Sequence, residues 1–132
     1  MLDPVMHRPD AMDQNAAALE VAVAQVTLAQ AQAFAPTWAA TSPAERAKAL
    51  QRCADLMQAQ TLPLIALLIR EAGKTSANAI AEVREAIDFL RYYAAQVSAG
   101  FDNASHVPLG PVVCISPWNF PLAIFAGQIA AA

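Results

Sequence analysis

Along most of this chain the apolar residues recur at intervals of three and four, and near residue 112 the pattern changes to a short run that does not alternate. Intervals of three and four gather side chains on one face of a helix, whereas a non-alternating apolar run suits a strand covered on both faces. The pattern predicts several helices, then one buried strand and a closing helix. From Asp13, a suitable N-cap, to about Phe34, the residues Leu19, Val23, Val26 and Ala33 share a face, and Pro36 is expected to end that helix. Ser42-Pro43-Ala44-Glu45 is a capping box with proline at the first helical position, so a second helix starts there. Its inward face is expected to carry Leu50, Cys53, Ala54 and Met57, with Cys53 packed as a small apolar side chain. Thr61 can cap a third helix, Leu62 to Ala72, which Gly73 stops in the conformation that costs glycine least. A fourth runs from about Ser76 to Ala99 with Ile80, Val83, Ile87, Leu90 and Ala94 as its stripe and Gly100 as its stop.

After the loop from Phe101 to His106, Val112 to Ser116 reads as a buried parallel strand containing Cys114. Phe120 to Ala132 reads as the helix that crosses back over the sheet, with Gly127 permitting close approach. Met1 to Met12, with Pro4, Pro9 and no periodicity, reads as a flexible lead, and its His7 has no partner in the sequence. The chain stops inside the apolar run Ala130-Ala131-Ala132 without a helix-ending residue, which gives it a cut appearance.

Composition narrows the class. With 57% hydrophobic and 14% charged residues the chain reads as a globular, alanine-rich and mostly helical protein, and its 132 residues leave room for about one domain. The longest wholly apolar stretch, Leu62 to Ile69, falls far short of the roughly 20 residues needed to span a bilayer, so no membrane span is expected. No secretory signal opens the chain, and a cytoplasmic location follows as the default. A net charge of −3 without a basic cluster offers nucleic acid no source of counterion release. Cys53 and Cys114 lie too far apart in sequence and setting to suggest a disulfide framework or a metal site. No glycine-rich loop of the common dinucleotide-binding type is present.

The most particular local feature is Pro117-Trp118-Asn119-Phe120-Pro121, which holds one amide between two prolines at the end of the expected strand. Each proline fixes its own φ and restricts the residue before it, so the aim of Asn119 is constrained from both sides. An ordinary turn asparagine bonding to its own backbone explains the same residue without any chemistry. Glu82, Glu85 and Asp88 flank the stripe of the fourth helix. Such carboxylates are commonly solvated or paired with a helical neighbour, for which Arg84 and Arg91 are available. The segment Arg70-Glu71-Ala72-Gly73-Lys74-Thr75 is explained locally as a helix end followed by the cap of the next helix, with Lys74 just past a negative terminus.

Pro108-Leu109-Gly110-Pro111-Val112-Val113-Cys114-Ile115-Ser116-Pro117-Trp118-Asn119-Phe120-Pro121-Leu122 resembles the aldehyde dehydrogenase superfamily. Arg70 to Thr75 together with Ala81 to Tyr93 is similar to the L-glutamate γ-semialdehyde (1-pyrroline-5-carboxylate) dehydrogenase modules of proline utilization A proteins. The resemblance runs from about Ala16 to Ala132 and implies an α/β fold of which only the front is present. That front comprises a helical region followed by the first strand and helix of a Rossmann-like NAD-binding domain, so that residues 13–132 form the N-terminal part of the dehydrogenase domain. It further implies oxidation of an aldehyde with NAD, FAD entering only if a proline-oxidising domain accompanies the module, and a homo-oligomeric parent enzyme.

By the same resemblance Asn119 is the side-chain donor to the oxyanion formed when a cysteine thiolate attacks the aldehyde. Ile115, Ser116, Pro117 and Trp118 would line the nicotinamide-ribose side of the cofactor site, Phe120 would lie beside the aliphatic part of the aldehyde, and Glu85 would approach the substrate. The nucleophilic cysteine, the general-base glutamate and the ribose-binding acid lie further along in the family and have no counterpart here. Alternatives remain a dehydrogenase for another semialdehyde or aliphatic aldehyde, and a non-catalytic helical interaction module, though the latter leaves the asparagine loop unexplained.

Overall fold

The computed structural model describes residues 11–132, with side chains from residue 22 onward except that of Val23. Expectations for residues 1–10, His7 among them, and for the side chains of Leu19 and Val23 lie outside the described residues. Five helices follow in order: α1 (Ala11–Ala40), α2 (Pro43–Ala59), α3 (Thr61–Ala72), α4 (Ser76–Gly100) and α5 (Ala123–Ala131). Helix α4 is the axis of the core, and α2, α3 and α5 pack around it.

The core follows from the phase of α4. Ala79, Val83, Ala86, Ile87, Leu90 and Ala94 are buried at the spacing of a single helical face, and Ile80, expected on that face, sits at its edge and is exposed. Val83, Ile87 and Leu90 meet Ala54 of α2, Leu68 of α3 and Ala130 of α5, with Leu50, Met57, Leu64, Ile65, Tyr93 and Leu122 around them. Alanines at the contact points let the helix axes come close. Gly127 takes this furthest, since a Cβ there would stand 2.9 Å from Cδ2 of Phe89, and the expectation of close approach on α5 holds.

Helix starts and stops come from local chemistry. Ser42 caps α2 as expected: its hydroxyl accepts from the Glu45 amide, and the Glu45 carboxylate receives the Ser42 amide in return. Gly73 ends α3 at φ +64°, and the amides of Gly73 and Lys74 both reach back to the Leu68 carbonyl, the latter at 3.3 Å, closing the turn. Thr75 then caps α4 by accepting from the Asn78 amide. Between α3 and α4, Lys74 is thereby turned inward.

Four expectations are corrected. Pro36 does not end α1, which continues to Ala40 and begins at Ala11, so that Asp13 lies within the helix and is not its cap. Alanines around the proline favour helix. The Phe34 and Trp38 rings bracket it one turn apart at 6.5 Å, and Thr41 completes the last turn by donating to Thr37 and Trp38. Thr61 does not cap α3; it is the first residue of that helix, its hydroxyl donates to the Gln58 carbonyl, and Gln60 occupies the cap without a side-chain bond. Cys53 is exposed, because the buried face of α2 passes through Ala47 and Ala54.

The fourth correction concerns the strand. No strand forms among the described residues, and Val112, Val113 and Ile115 are exposed instead of buried. A strand exists only through hydrogen bonds to a neighbouring strand, and the described residues offer residues 112–116 no such neighbour. The segment is instead fastened to α5, where the Gln128 side-chain amide donates to the Ile115 carbonyl at 3.0 Å. α5 itself begins at Ala123, three residues after the expected Phe120.

Candidate active site

Pro117 to Phe120 form a turn closed by the Phe120 amide donating to the Pro117 carbonyl at 3.1 Å. Asn119 occupies its third position, exposed, and its side-chain amide makes no hydrogen bond among the described residues. Its φ is not positive either. The two usual reasons for asparagine in a turn, bonding to its own backbone and tolerance of the left-handed region, are both missing. Its donors are free for something else.

That amide borders a cleft of about 480 Å³ between the α3–α4 turn, one face of α4 and the asparagine turn. Lys74, Thr75, Asn78, Glu85, Asn119 and Phe120 are among the side chains that line it. The cleft brings together three of the residues singled out from the sequence, Glu85, Asn119 and Phe120. Glu85 is exposed and, among the described residues, pairs with neither Arg84 nor Arg91; Arg91 faces Asp55 instead, at 3.6 Å. Trp118, 85% exposed, borders a neighbouring, largely apolar groove with Leu64, Leu67, Leu68 and Pro121. Ile115, Ser116 and Pro117 line neither space. Ile115 and Pro117 are exposed and Ser116 is half-buried.

The cleft's floor is a buried ion pair. Lys74 Nζ meets Glu82 Oε2 at 2.5 Å, with the lysine side chain 10% and the glutamate side chain 0% exposed. The contact is a pairing of charges more than an aligned hydrogen bond, since Oε2 has no well-directed donor. The other oxygen, Oε1, accepts from the amides of Leu122 at 2.8 Å and Ala123 at 3.2 Å. These are the first free N–H groups of α5, a helix whose cap position, Leu122, makes no side-chain capping bond of its own. A carboxylate at a helix N-terminus also faces the positive end of the helix dipole. Lys74 Nζ additionally lies 4.0 Å from the centre of the Phe120 ring, over the face that carries negative potential. One face of Phe120 is thus held by a cation, and the ring remains 39% exposed.

Sequence reasoning missed Glu82 and Lys74 as members of this site. The signal was present in the phase: Glu82 stands three residues after Ala79 and four before Ala86, on the buried stripe itself, and a carboxylate there requires a partner. Glu85, one turn on, falls on the open side. Neither cysteine lines the cleft, and among the described residues no cluster of histidine, cysteine and carboxylate side chains suits a metal ion. No helix of the described residues is long and apolar enough to cross a membrane.

A family model described as aldehyde dehydrogenase family matches residues 8–132. The chain belongs to the aldehyde dehydrogenase family. It is 57% identical over 133 residues to the bifunctional protein PutA of Klebsiella aerogenes, an alignment covering 99% of this chain and 10% of that protein. To the 1-pyrroline-5-carboxylate dehydrogenase of Bacillus mycoides (strain KBAB4) it is 38% identical over 122 residues, covering 83% of this chain and 24% of that one. A solved structure of proline utilization A with proline bound in remote sites superimposes with a TM-score of 0.72 at 42% identity, covering 81% of this chain and 12% of that one. The chain therefore spans about a tenth of the length of the bifunctional relatives it matches.

Proposed function

We propose that residues 13–132 form the N-terminal part of an NAD-dependent aldehyde dehydrogenase domain that oxidises L-glutamate γ-semialdehyde to L-glutamate. The observation that carries this reading is the unengaged Asn119 amide at the mouth of the cleft shared with Glu85 and Phe120. An aldehyde carbonyl attacked by a thiolate gathers negative charge on oxygen, and a neutral amide donor meets that charge without ionising. The thiolate has to come from outside this chain, because neither Cys53 nor Cys114 lines the cleft. Phe120 offers an apolar wall to the substrate's methylenes, and Glu85, exposed and without an ion-pair partner among the described residues, is placed to shape the polar side of the pocket. The exposed side chains of Ile115, Pro117 and Trp118, with Ser116 between them, are available to cover the nicotinamide ribose of NAD, which when bound supplies the hydride acceptor.

The choice of glutamate γ-semialdehyde over other aldehydes is supported by the similarity to a 1-pyrroline-5-carboxylate dehydrogenase. The test is a chimera in which this chain replaces the stretch it aligns with in the Klebsiella aerogenes protein. The chimera should reduce NAD with glutamate γ-semialdehyde, and with a kcat/KM well above those for succinate semialdehyde and simple aliphatic aldehydes. Asn119→Ala should lower kcat about 10²- to 10³-fold, the usual loss for one oxyanion donor, with much less change in the KM for NAD. Parental turnover by Asn119→Ala would return the residue to a turn former, and preference for another aldehyde would overturn the substrate assignment.

A further inference from the structure

The Asn119 side chain makes no hydrogen bond among the described residues, so its aim is set chiefly by the backbone on either side. Before it stand Pro117 and the turn bond to Phe120. After it, three successive anchors all lead back to one place. The Phe120 ring rests against Lys74 Nζ, and the amides of Leu122 and Ala123 are bound by Glu82 Oε1. Lys74 and Glu82 are themselves joined as an ion pair that is all but removed from water. Lys74 is delivered there by the Gly73 turn and Glu82 by the most buried face of α4.

We propose that Lys74 and Glu82 are positioning residues for Asn119, a buried latch that sets where its amide points in the cleft. This rests on the reading of Asn119 as the oxyanion donor. Helix capping alone does not call for such an arrangement, because a glutamate in place of the exposed Phe125, third in α5, would receive the Leu122 amide locally, as Glu45 receives that of Ser42 in α2, without burying charge. A buried pair of opposite charges adds little net stability compared with an apolar pair. What it adds here is direction: the carboxylate binds the backbone three and four residues past Asn119, and the ammonium clamps the ring of the very next residue. The cleft wall and the donor are thereby located against the rigid helix α4 instead of against each other. Displacement of a catalytic group by about 1 Å can cost on the order of 10²-fold in rate.

The experiment uses the chimera described above, with Glu82→Gln, Lys74→Met and the pair Lys74→Met/Glu82→Gln, each made with and without Asn119→Ala. Glu82→Gln keeps an oxygen for the two amides and removes the charge that holds Lys74. The expected result is a fall in kcat of about 10- to 100-fold for the latch variants, with the KM for NAD little changed, and no further fall when they are combined with Asn119→Ala. A purely structural role predicts losses that multiply with that of Asn119→Ala. Multiplying losses, or a folded Glu82→Gln chimera at parental kcat, overturns the latch. If Lys74→Met does not fold, Glu82→Gln and the pair, which buries no charge, decide by the same criteria. Parental turnover by Asn119→Ala alone is a different outcome: it removes the donor reading, and the latch with it.

Discussion

Removing Lys74 should be far more damaging to folding than removing Lys74 and Glu82 together. In Lys74→Met the cation disappears while Glu82, with its side chain fully buried, keeps its charge and retains only the Leu122 and Ala123 amides as partners. Breaking a buried pair from one side typically costs about 3 to 5 kcal/mol. The two amides and the N-terminus of α5 still favour the carboxylate, so the lower figure applies, and loss of the contact with Phe120 adds about 0.5 to 1 kcal/mol. Glu82→Gln is milder, at about 1 to 2 kcal/mol, because the Lys74 side chain is already 10% exposed and its long stem can carry the ammonium to water. With both changes no charge is left buried, and the loss should shrink to about 1 kcal/mol, less than either single change. Urea unfolding of this chain followed by far-ultraviolet circular dichroism reads all four forms. With a slope of about 1 to 2 kcal/mol per molar, Lys74→Met should move the midpoint by more than about 1.5 M. A Lys74→Met midpoint close to the parent, or a double variant as unstable as the sum of the singles, would refute the assignment of this pair as a coupled buried unit.

Gly127→Ala sets a gain of about 1 kcal/mol in helix propensity against about 1 to 3 kcal/mol for forcing a methyl group into the Phe89 ring at 2.9 Å; the clash should win, and a thermal melt showing a more stable protein would contradict it. The hydroxyl and amide of Ser42 hold the Glu45 carboxyl below the usual glutamate range, with Lys48 assisting. A folded-state pKa below the unfolded one contributes stability above the unfolded value and loses it as pH falls through the folded value. Glu45→Gln should therefore flatten part of the acid limb of the unfolding midpoint, and an unaltered pH profile would dissociate Glu45 from the α2 cap.

The elements that were legible in the sequence are those whose signals act within a few residues. Ser42, Pro43 and Glu45 start α2 through bonds spanning three positions, and Gly73 stops α3 through its own φ. The failures have different physical origins. Pro36 was expected to break α1, yet a proline removes one bond and adds a clash, and neighbouring alanines with an aromatic pair on either side carry the helix past it. The run from Val112 to Ser116 has a strand's composition, but composition cannot supply a neighbour to pair with, and among the described residues it stays irregular. On α2, Leu50, Ala54 and Met57 of the expected inward face do pack in the core, but Cys53 lies just past the edge of that face and is left in solvent.

The site shows the same division at longer range. Asn119 stands out because two prolines confine the loop around it, whereas Phe120 enters through the family resemblance, and Glu85 through that resemblance and its place beside the stripe of α4. What holds them is not written near them. Glu82 binds an amide 40 positions away, and its role depends on α4 and α5 being packed before the bond can form. A carboxylate lying on a buried stripe states that a partner exists without naming it; Lys74 was available in the sequence, but read locally it satisfied a helix end and needed no further use. The inference that would have reached it is one of elimination. An ionised group at an inward position has to find an opposite charge or free backbone donors, and Lys74 beside a glycine turn and the uncapped start of α5 are one source of each. The structure supplies both at once, and so joins the turn between α3 and α4 to the loop that carries the asparagine.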